Sequence, residues 1–350
     1  MNPVRNLKEN RKIYRESQVL LNKVKIKDNG ISNGVNLTNS INFQDLKAPL
    51  FIAWQINAEC NLGCLHCCEE AGGSMPDEMN KEEIFRFLQQ VVDLNIPYVA
   101  LSGGEPLLHS CFFEICEFIR KHNISLKVET NGEFINEERA KKIAQLRFRS
   151  VQVSLDGATA STHERLRLRG NWNKAISACQ LLIREGVNTE IVFVPTKFNI
   201  HEITNLIDLA YSLGVLGVYT GKIMRIGRAA QNWDILCPSD QEYKDFFATL
   251  NDRVTHYDGK MKVYYYPYDV IEELKYRLKY PSASVLVLPN GKVKLIGPLP
   301  FICGDLKKES LAKIWENYKR AWRKPKVVAF AKKVIAEPKL LAESNKWRGV

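Results

Sequence analysis

The sequence predicts an α/β protein: a partial parallel (β/α)6 TIM-like barrel with a small α+β C-terminal extension. Three observations predict it. Between Phe51 and Tyr219, short apolar runs alternate with amphipathic stretches at a spacing of ~25–38 residues, about six times over. Glycine-rich and polar segments follow the ends of the strand candidates, where parallel sheets place their sites. After Gly227-Arg-Ala the alternation stops, and Val285–Leu295 reads as a hairpin turning at Asn290-Gly291. Six units are fewer than a closed eight-stranded barrel needs, so the barrel is expected to be partial.

The elements follow in order. Residues 1–48 read as a basic helical piece and a turn-rich linker, with Asp28-Asn-Gly-Ile-Ser-Asn-Gly34 as the linker signal. Residues 49–235 form the barrel core. Phe51–Ile56 is a buried strand. Asn80-Lys-Glu-Glu83 has capping-box spacing before a helix whose apolar face is Ile84, Leu88 and Val91. Strands are then expected at 98–101, 125–129, 151–155 and 189–194, and one begins at 217–219. Helices are expected at 112–120, 136–146, 172–185 and 200–213, the last opened by Asn199-Ile-His-Glu202. Residues 236–320 form the extension and 321–350 a basic tail.

A chain of 350 residues with 45% hydrophobic content is ample for this core. The charged N-terminus has no apolar signal segment, and no run approaches the ~20 apolar residues of a membrane span. Six of the nine cysteines are scattered, unlike a secreted disulfide framework, so a cytoplasmic protein is expected. The net charge of +11 sits at the two ends, leaving the middle near neutral. The basic ends read first as solvated tails, and second as contacts for an acidic partner or a membrane surface. Val327, Phe330 and Val334 line up at helical spacing and are expected to pack on the domain.

The other three cysteines lie within eight residues, Cys60-Asn-Leu-Gly-Cys64-Leu-His-Cys67. Three thiolates on one loop can hold three irons of a four-iron cluster and leave the fourth iron open to a substrate. Tetrahedral zinc, with His66 or Cys68 helping, is the competing reading. It wants a second ligand pair, and the sequence offers none.

Further segments lie at strand ends. In Leu101-Ser-Gly103-Gly104-Glu105-Pro106, two glycines permit close backbone approach and Glu105 supplies an acceptor for an ammonium group. Glu129-Thr-Asn131-Gly132, Val153-Ser154-Leu-Asp156-Gly157 and His163-Glu-Arg-Leu-Arg167-Leu-Arg169-Gly170 follow, then Met224–Ala229. A strand-end carboxylate can hold a ribose diol, and a planar guanidinium suits a carboxylate. In this order, after this cysteine loop, the segments resemble the radical S-adenosylmethionine (SAM) superfamily over about residues 50–230.

The resemblance implies that Cys60, Cys64 and Cys67 hold a [4Fe-4S] cluster. Gly103, Gly104, Glu105 and Pro106 then meet the amino group of SAM, and Asn131 lines its pocket. Ser154 and Asp156 reach its methionine or ribose, Arg167 or Arg169 pairs with its carboxylate, and Gly227-Arg-Ala lies near the adenine. One departure is Cys68, where the family usually has an aromatic residue. Residues 285–322 are similar to the SPASM or twitch extension of radical SAM enzymes that mature peptides and cofactors. Its auxiliary-cluster cysteines are missing and only Cys237 and Cys303 remain, so a degenerate extension with no auxiliary cluster is expected. Each of the two reads as a buried apolar cysteine, with hydrogen-atom donation as the alternative. Tyr264–Tyr268 is expected to be a half-buried strand or a cavity wall.

The implied activity is reductive cleavage of SAM to a 5′-deoxyadenosyl radical that abstracts hydrogen from a peptide or cofactor precursor. An electron donor such as flavodoxin or ferredoxin would reduce the cluster. A haem precursor or another small molecule is the second substrate reading. A non-enzymatic iron–sulfur or zinc protein is the reading from a different class.

Overall fold

The computed structural model describes residues 43–350. The expected helical piece and turn-rich linker before Phe43 lie outside the described residues. Strands β1 (Phe51–Gln55), β2 (Tyr98–Ser102), β3 (Ser125–Thr130), β4 (Ser150–Ser154), β5 (Thr189–Phe193) and β6 (Gly217–Gly221) stand side by side and parallel. Helices α1 (Lys81–Asp93), α2 (Phe112–Lys121), α3 (Glu137–Gln145), α4 (Trp172–Arg184) and α5 (Ile203–Leu213) connect them. This is the expected βα repeat.

Alternation along each strand decides what it faces. Ile52, Trp54, Val99, Leu101, Leu126 and Val128 are buried toward the helices, and Trp54 meets Phe87 of α1 edge to face. The alternate residues face the concave side. Lys127 of β3 sits 4.9 Å from the ring of Tyr219 on β6, three strands over, which only a strongly curved sheet allows. Caps fix the helix starts. Asn80 and Glu83 close the expected capping box on α1, and Asn136 caps α3. Asn199 does not cap its helix. Its amide instead ties Asp156 O and Val194 O together, across the ends of β4 and β5.

The extension expected at 236–320 is not set apart from the barrel. Helix α6 (Asp240–His256) leads to β7 (Lys262–Tyr266), which pairs parallel with β6. Helix α7 (Val270–Lys279) then leads to β8 (Ser284–Val287) at the opposite edge, parallel to β1. Both strands cover backbone groups that an open six-stranded barrel would leave unpaired. The sheet continues antiparallel through β9 (Lys292–Lys294) and β10 (Phe301–Asp305) and ends on the short β11 (Arg348–Gly349), giving eleven strands in the order β11-β10-β9-β8-β1-β2-β3-β4-β5-β6-β7 among the described residues. The hairpin turns at Asn290-Gly291 as expected, with Gly291 at φ +79°.

Residues 321–350 are folded rather than a solvated tail. Helix α8 (Leu311–Ala321) buries Trp315, whose indole donates to Leu46 O at 2.8 Å. Helix α9 (Pro325–Ala336) buries Val327 and Val334, and Phe330 packs edge-on against Phe301. The apolar stripe thus overrides the basic composition. A 3-10 turn at Pro338–Glu343 follows, and β11 (Arg348–Gly349) joins β10. Among the described residues no helix is long and apolar enough to cross a membrane.

Candidate active site at the barrel mouth

The cysteine loop follows β1 and is braced from three distant segments. Gly63 N and Leu65 N donate to Leu168 O and Leu166 O, both at 2.9 Å. Arg228 Nε donates to Cys64 O at 2.8 Å and its Nη1 to Ala71 O at 2.7 Å, while Arg228 N donates to Cys67 O. Asn345 Nδ2 donates to Cys68 O at 2.9 Å. Leu65 seats the loop on a small apolar cluster of Leu166, Ile223, Ala229 and Leu236. The Gly-Arg-Ala segment therefore packs on the cysteine loop. A Cβ on Gly227, at φ +58°, would lie 2.4 Å from Cys68 O.

The two glycines after β2 are needed for the same reason. A Cβ on Gly103 would lie 2.6 Å from Asn57 O, and one on Gly104 would lie 2.0 Å from Glu59 O. Gly104 N donates to Asn57 O and Glu105 N to Glu59 O. The glycines admit the chain entering the cysteine loop. They also border a cavity of ≈ 180 Å³, shared with Asn57, Glu70, Asn345 and Trp347. The Oδ1 atom of Asn57, a buried residue, has no partner among the described residues.

Glu105, expected to face an ammonium group, is fully buried and already engaged. It accepts from Thr130 Oγ1 at 2.7 Å, Asn131 N at 2.8 Å and Leu107 N at 3.1 Å. Burial pushes its pKa up to about 7 against these donors. The side chain locks the ends of β2 and β3 together, and Pro106 starts the buried turn beyond it. Asn131 carries the lock to the cysteine loop, its Nδ2 donating to Asn61 Oδ1 at 2.8 Å.

Asp156, expected to reach the methionine or ribose of SAM, is also fully buried and engages protein partners through both oxygens. Oδ2 meets Arg167 Nε at 2.7 Å and His66 Nε2 at 3.0 Å, and Oδ1 accepts from Val194 N at 2.8 Å. Burial opposes its charge, but Arg167 and His66 hold it well below the usual carboxylate range. Its backbone N donates to His163 Nδ1, and burial with Arg167 nearby lowers that imidazole to about 4. Arg167 is committed to this pair and directs Nη1 to Cys64 Sγ at 3.7 Å. Of the two candidate arginines, Arg169 is the exposed one, with its guanidinium over Gly63. Ser154 is half-buried at the end of β4.

Sequence reasoning missed His66, His163 and Asn345 as parts of this assembly. His66 lay inside the cysteine motif and was weighed only as a zinc ligand. Asn345 carries no local signal.

All nine cysteines are free thiols. Burial, and then Cys64, Glu105 and Cys67, push Cys60 up to about 11 against a hydrogen bond from Leu62 N. The loop thiols thus feel one another's charge. Among the described residues no three of His, Cys, Asp and Glu converge on one ion. A four-iron cluster asks instead for one thiolate per iron, which three free thiols on one braced loop can supply. Cys237 packs on the small apolar cluster and Cys303 lies in the main core, both with raised thiol pKa values from burial.

Comparison with known proteins agrees with this geometry. Mycofactocin maturase MftC of Mycolicibacterium smegmatis is 31% identical over 216 residues, covering 60% of this chain and 54% of that protein. AdoMet-dependent heme synthase of Methanosarcina barkeri is 26% identical over 293 residues, covering 77% and 83%. This chain therefore spans about half the length of the mycofactocin maturases it matches. The fold is that of Streptococcus suis SuiB bound to precursor peptide SuiA, with a TM-score of 0.65 at 15% identity, covering 92% and 78%. Residues 54–210, which hold the cysteine loop, Glu105, Asp156 and Arg167, match the family described as the radical SAM superfamily.

Proposed function

We propose that this chain is a radical SAM enzyme acting on a peptide or cofactor precursor. Cys60, Cys64 and Cys67 would hold a [4Fe-4S] cluster, and SAM would lie across the strand ends beside Gly103, Gly104, Asn131, Ser154 and Arg169. Held there and reduced, such a cluster would supply the one electron needed for reductive cleavage of SAM to methionine and a 5′-deoxyadenosyl radical. The chain's own residues do the positioning. Arg228 and Asn345 hold the loop backbone, Asp156 fixes Arg167, and the Arg167 cation offsets negative charge gathering at Cys64. Glu105 keeps the β2 and β3 ends in register.

One observation carries this reading: three free thiols on a single loop, braced at the barrel mouth next to the buried Asp156–Arg167 pair. The test is anaerobic reconstitution with iron and sulfide, reduction, addition of SAM, and assay of 5′-deoxyadenosine. Product that vanishes in Cys64→Ala supports the proposal. A loaded cluster without SAM cleavage moves the reading to an iron–sulfur carrier, and zinc in place of iron removes it. The absence of an auxiliary cluster belongs to the same proposal, and more iron than one four-iron cluster per chain would overturn that part. The breadth of the match to a heme synthase favours a haem precursor as the second substrate reading.

A further inference from the structure

The concave face of the barrel carries a polar layer that the mouth does not use. Register places Glu129 beside Gln152, and Gln152 beside Glu190. The pairing Leu101↔Val128 sets Ser102 next to Glu129. Closed (β/α)8 barrels fill this space with branched apolar side chains. Here it holds charges and aromatic rings. Lys127 Nζ lies 3.4 Å from Glu190 Oε2 and over the Tyr219 ring, and Tyr219 stacks on Tyr264 at 4.5 Å.

Within this layer Glu129 stands apart. Lys127 is bound to Glu190, and Glu129 makes no hydrogen bond or ion pair among the described residues. Its side chain is solvent-accessible, yet burial raises its pKa, with Lys127 opposing and Glu190 and Glu69 adding. Its register on β3 puts this accessible side chain on the concave, lumen side of the sheet rather than among the helices. A carboxylate that shares its nearest cation, Lys127, with Glu190 is relieved by an entering cation and opposed by an entering anion.

We propose that Glu129, on the lumen side of β3, selects a substrate bearing a protonated amine or guanidinium. A lysine or arginine side chain, or a free amino terminus, presents such a group. A polycarboxylate tetrapyrrole does not. This rests on the radical SAM reading for the chemistry at the mouth, but the binding preference is measured without turnover.

The probe is a library of random heptapeptides displayed on phage, selected without oxygen on the reconstituted, SAM-loaded protein. Wild type, Glu129→Gln and Glu129→Lys are compared, each first checked by its thermal unfolding transition. Wild type is expected to enrich Lys and Arg by about tenfold over Glu129→Gln. Glu129→Lys is expected to reverse the preference toward Asp and Glu. Because Glu129→Gln is nearly isosteric, it decides the matter if the lysine variant does not fold. Enrichment that is the same for wild type and Glu129→Gln overturns the proposal, as does preferential binding of iron coproporphyrin III by wild type. Separately, 5′-deoxyadenosine from wild type tests the radical SAM reading, so either idea can fail while the other stands.

Discussion

Asp156 and Arg167, on either side of a short helix, form an ion pair of 2.7 Å between two buried side chains. The pair ties the end of β4 to the cysteine loop, because the same guanidinium lies 3.7 Å from Cys64 Sγ. Removing one partner leaves the other charged and buried. Asp156→Asn is therefore expected to lose about 3–5 kcal/mol of stability at pH 7, read from urea unfolding. A loss below about 1 kcal/mol would show that Arg167 finds another partner or water.

The imidazole of His163 gives a pH dependence of definite sign. Unfolded, it takes a proton near 6.5, whereas in the fold it does so only near 4. Acid therefore favours the unfolded chain across that window, and stability is lost as pH falls from 6.5 to 4. The contribution is about 3 kcal/mol. His163→Gln keeps an acceptor for Asp156 N and lacks the titration. Unfolding midpoints at pH 7, 5 and 4 should fall less steeply for this variant than for wild type, and parallel curves would contradict the assignment.

Gly104→Ala tests whether the glycine pair serves the cysteine loop. The added Cβ meets a backbone carbonyl at 2.0 Å, and backbone on the strand-end segment must shift. Iron retained after reconstitution is expected to drop severalfold. Gly73→Ala is the control, since nothing lies within 4 Å of its added Cβ, and it should load like wild type. Equal loading by both variants would detach the glycines from the cluster loop.

Lys294 is 2% exposed and, among the described residues, reaches only Asn345 Oδ1, at 3.3 Å, while burial lowers its pKa. A buried ammonium this poorly paired adds little. Lys294→Met keeps most of the volume and is expected to be neutral or stabilising by about 1 kcal/mol in urea unfolding. A loss above 2 kcal/mol would mean that the ammonium is needed to seat Asn345 against the cysteine loop.

Much of this was legible in the sequence, for identifiable reasons. The cysteine spacing and strand ends are local signals, and the six βα units follow from periodicity. The Asp156–Arg167 pairing was hidden because both residue types also suit a ligand, and nothing local says that they answer each other. Gly103 and Gly104 were read as admitting a ligand, and nothing local told that they also admit the Asn57–Glu59 backbone. Strand β7 was missed as a barrel strand because its tyrosines give no apolar alternation. The charge of residues 321–350 suggested a solvated tail, while the stripe of Val327, Phe330 and Val334 already pointed to packing on the domain, which is what decides the outcome. Glu129 becomes conspicuous only once strand curvature shows which face it occupies.

The braces on the cysteine loop come from far downstream. Arg228 lies 164 residues after Cys64, and Asn345 lies 277 residues after Cys68. At a translation rate of about 5–20 residues per second, the thiols exist for tens of seconds before Asn345 is made. For that time they belong to an unbraced loop open to oxidation or to a competing metal. The order of synthesis thus sets a waiting period, and iron delivered before it ends meets a loop whose final shape depends on residues not yet translated.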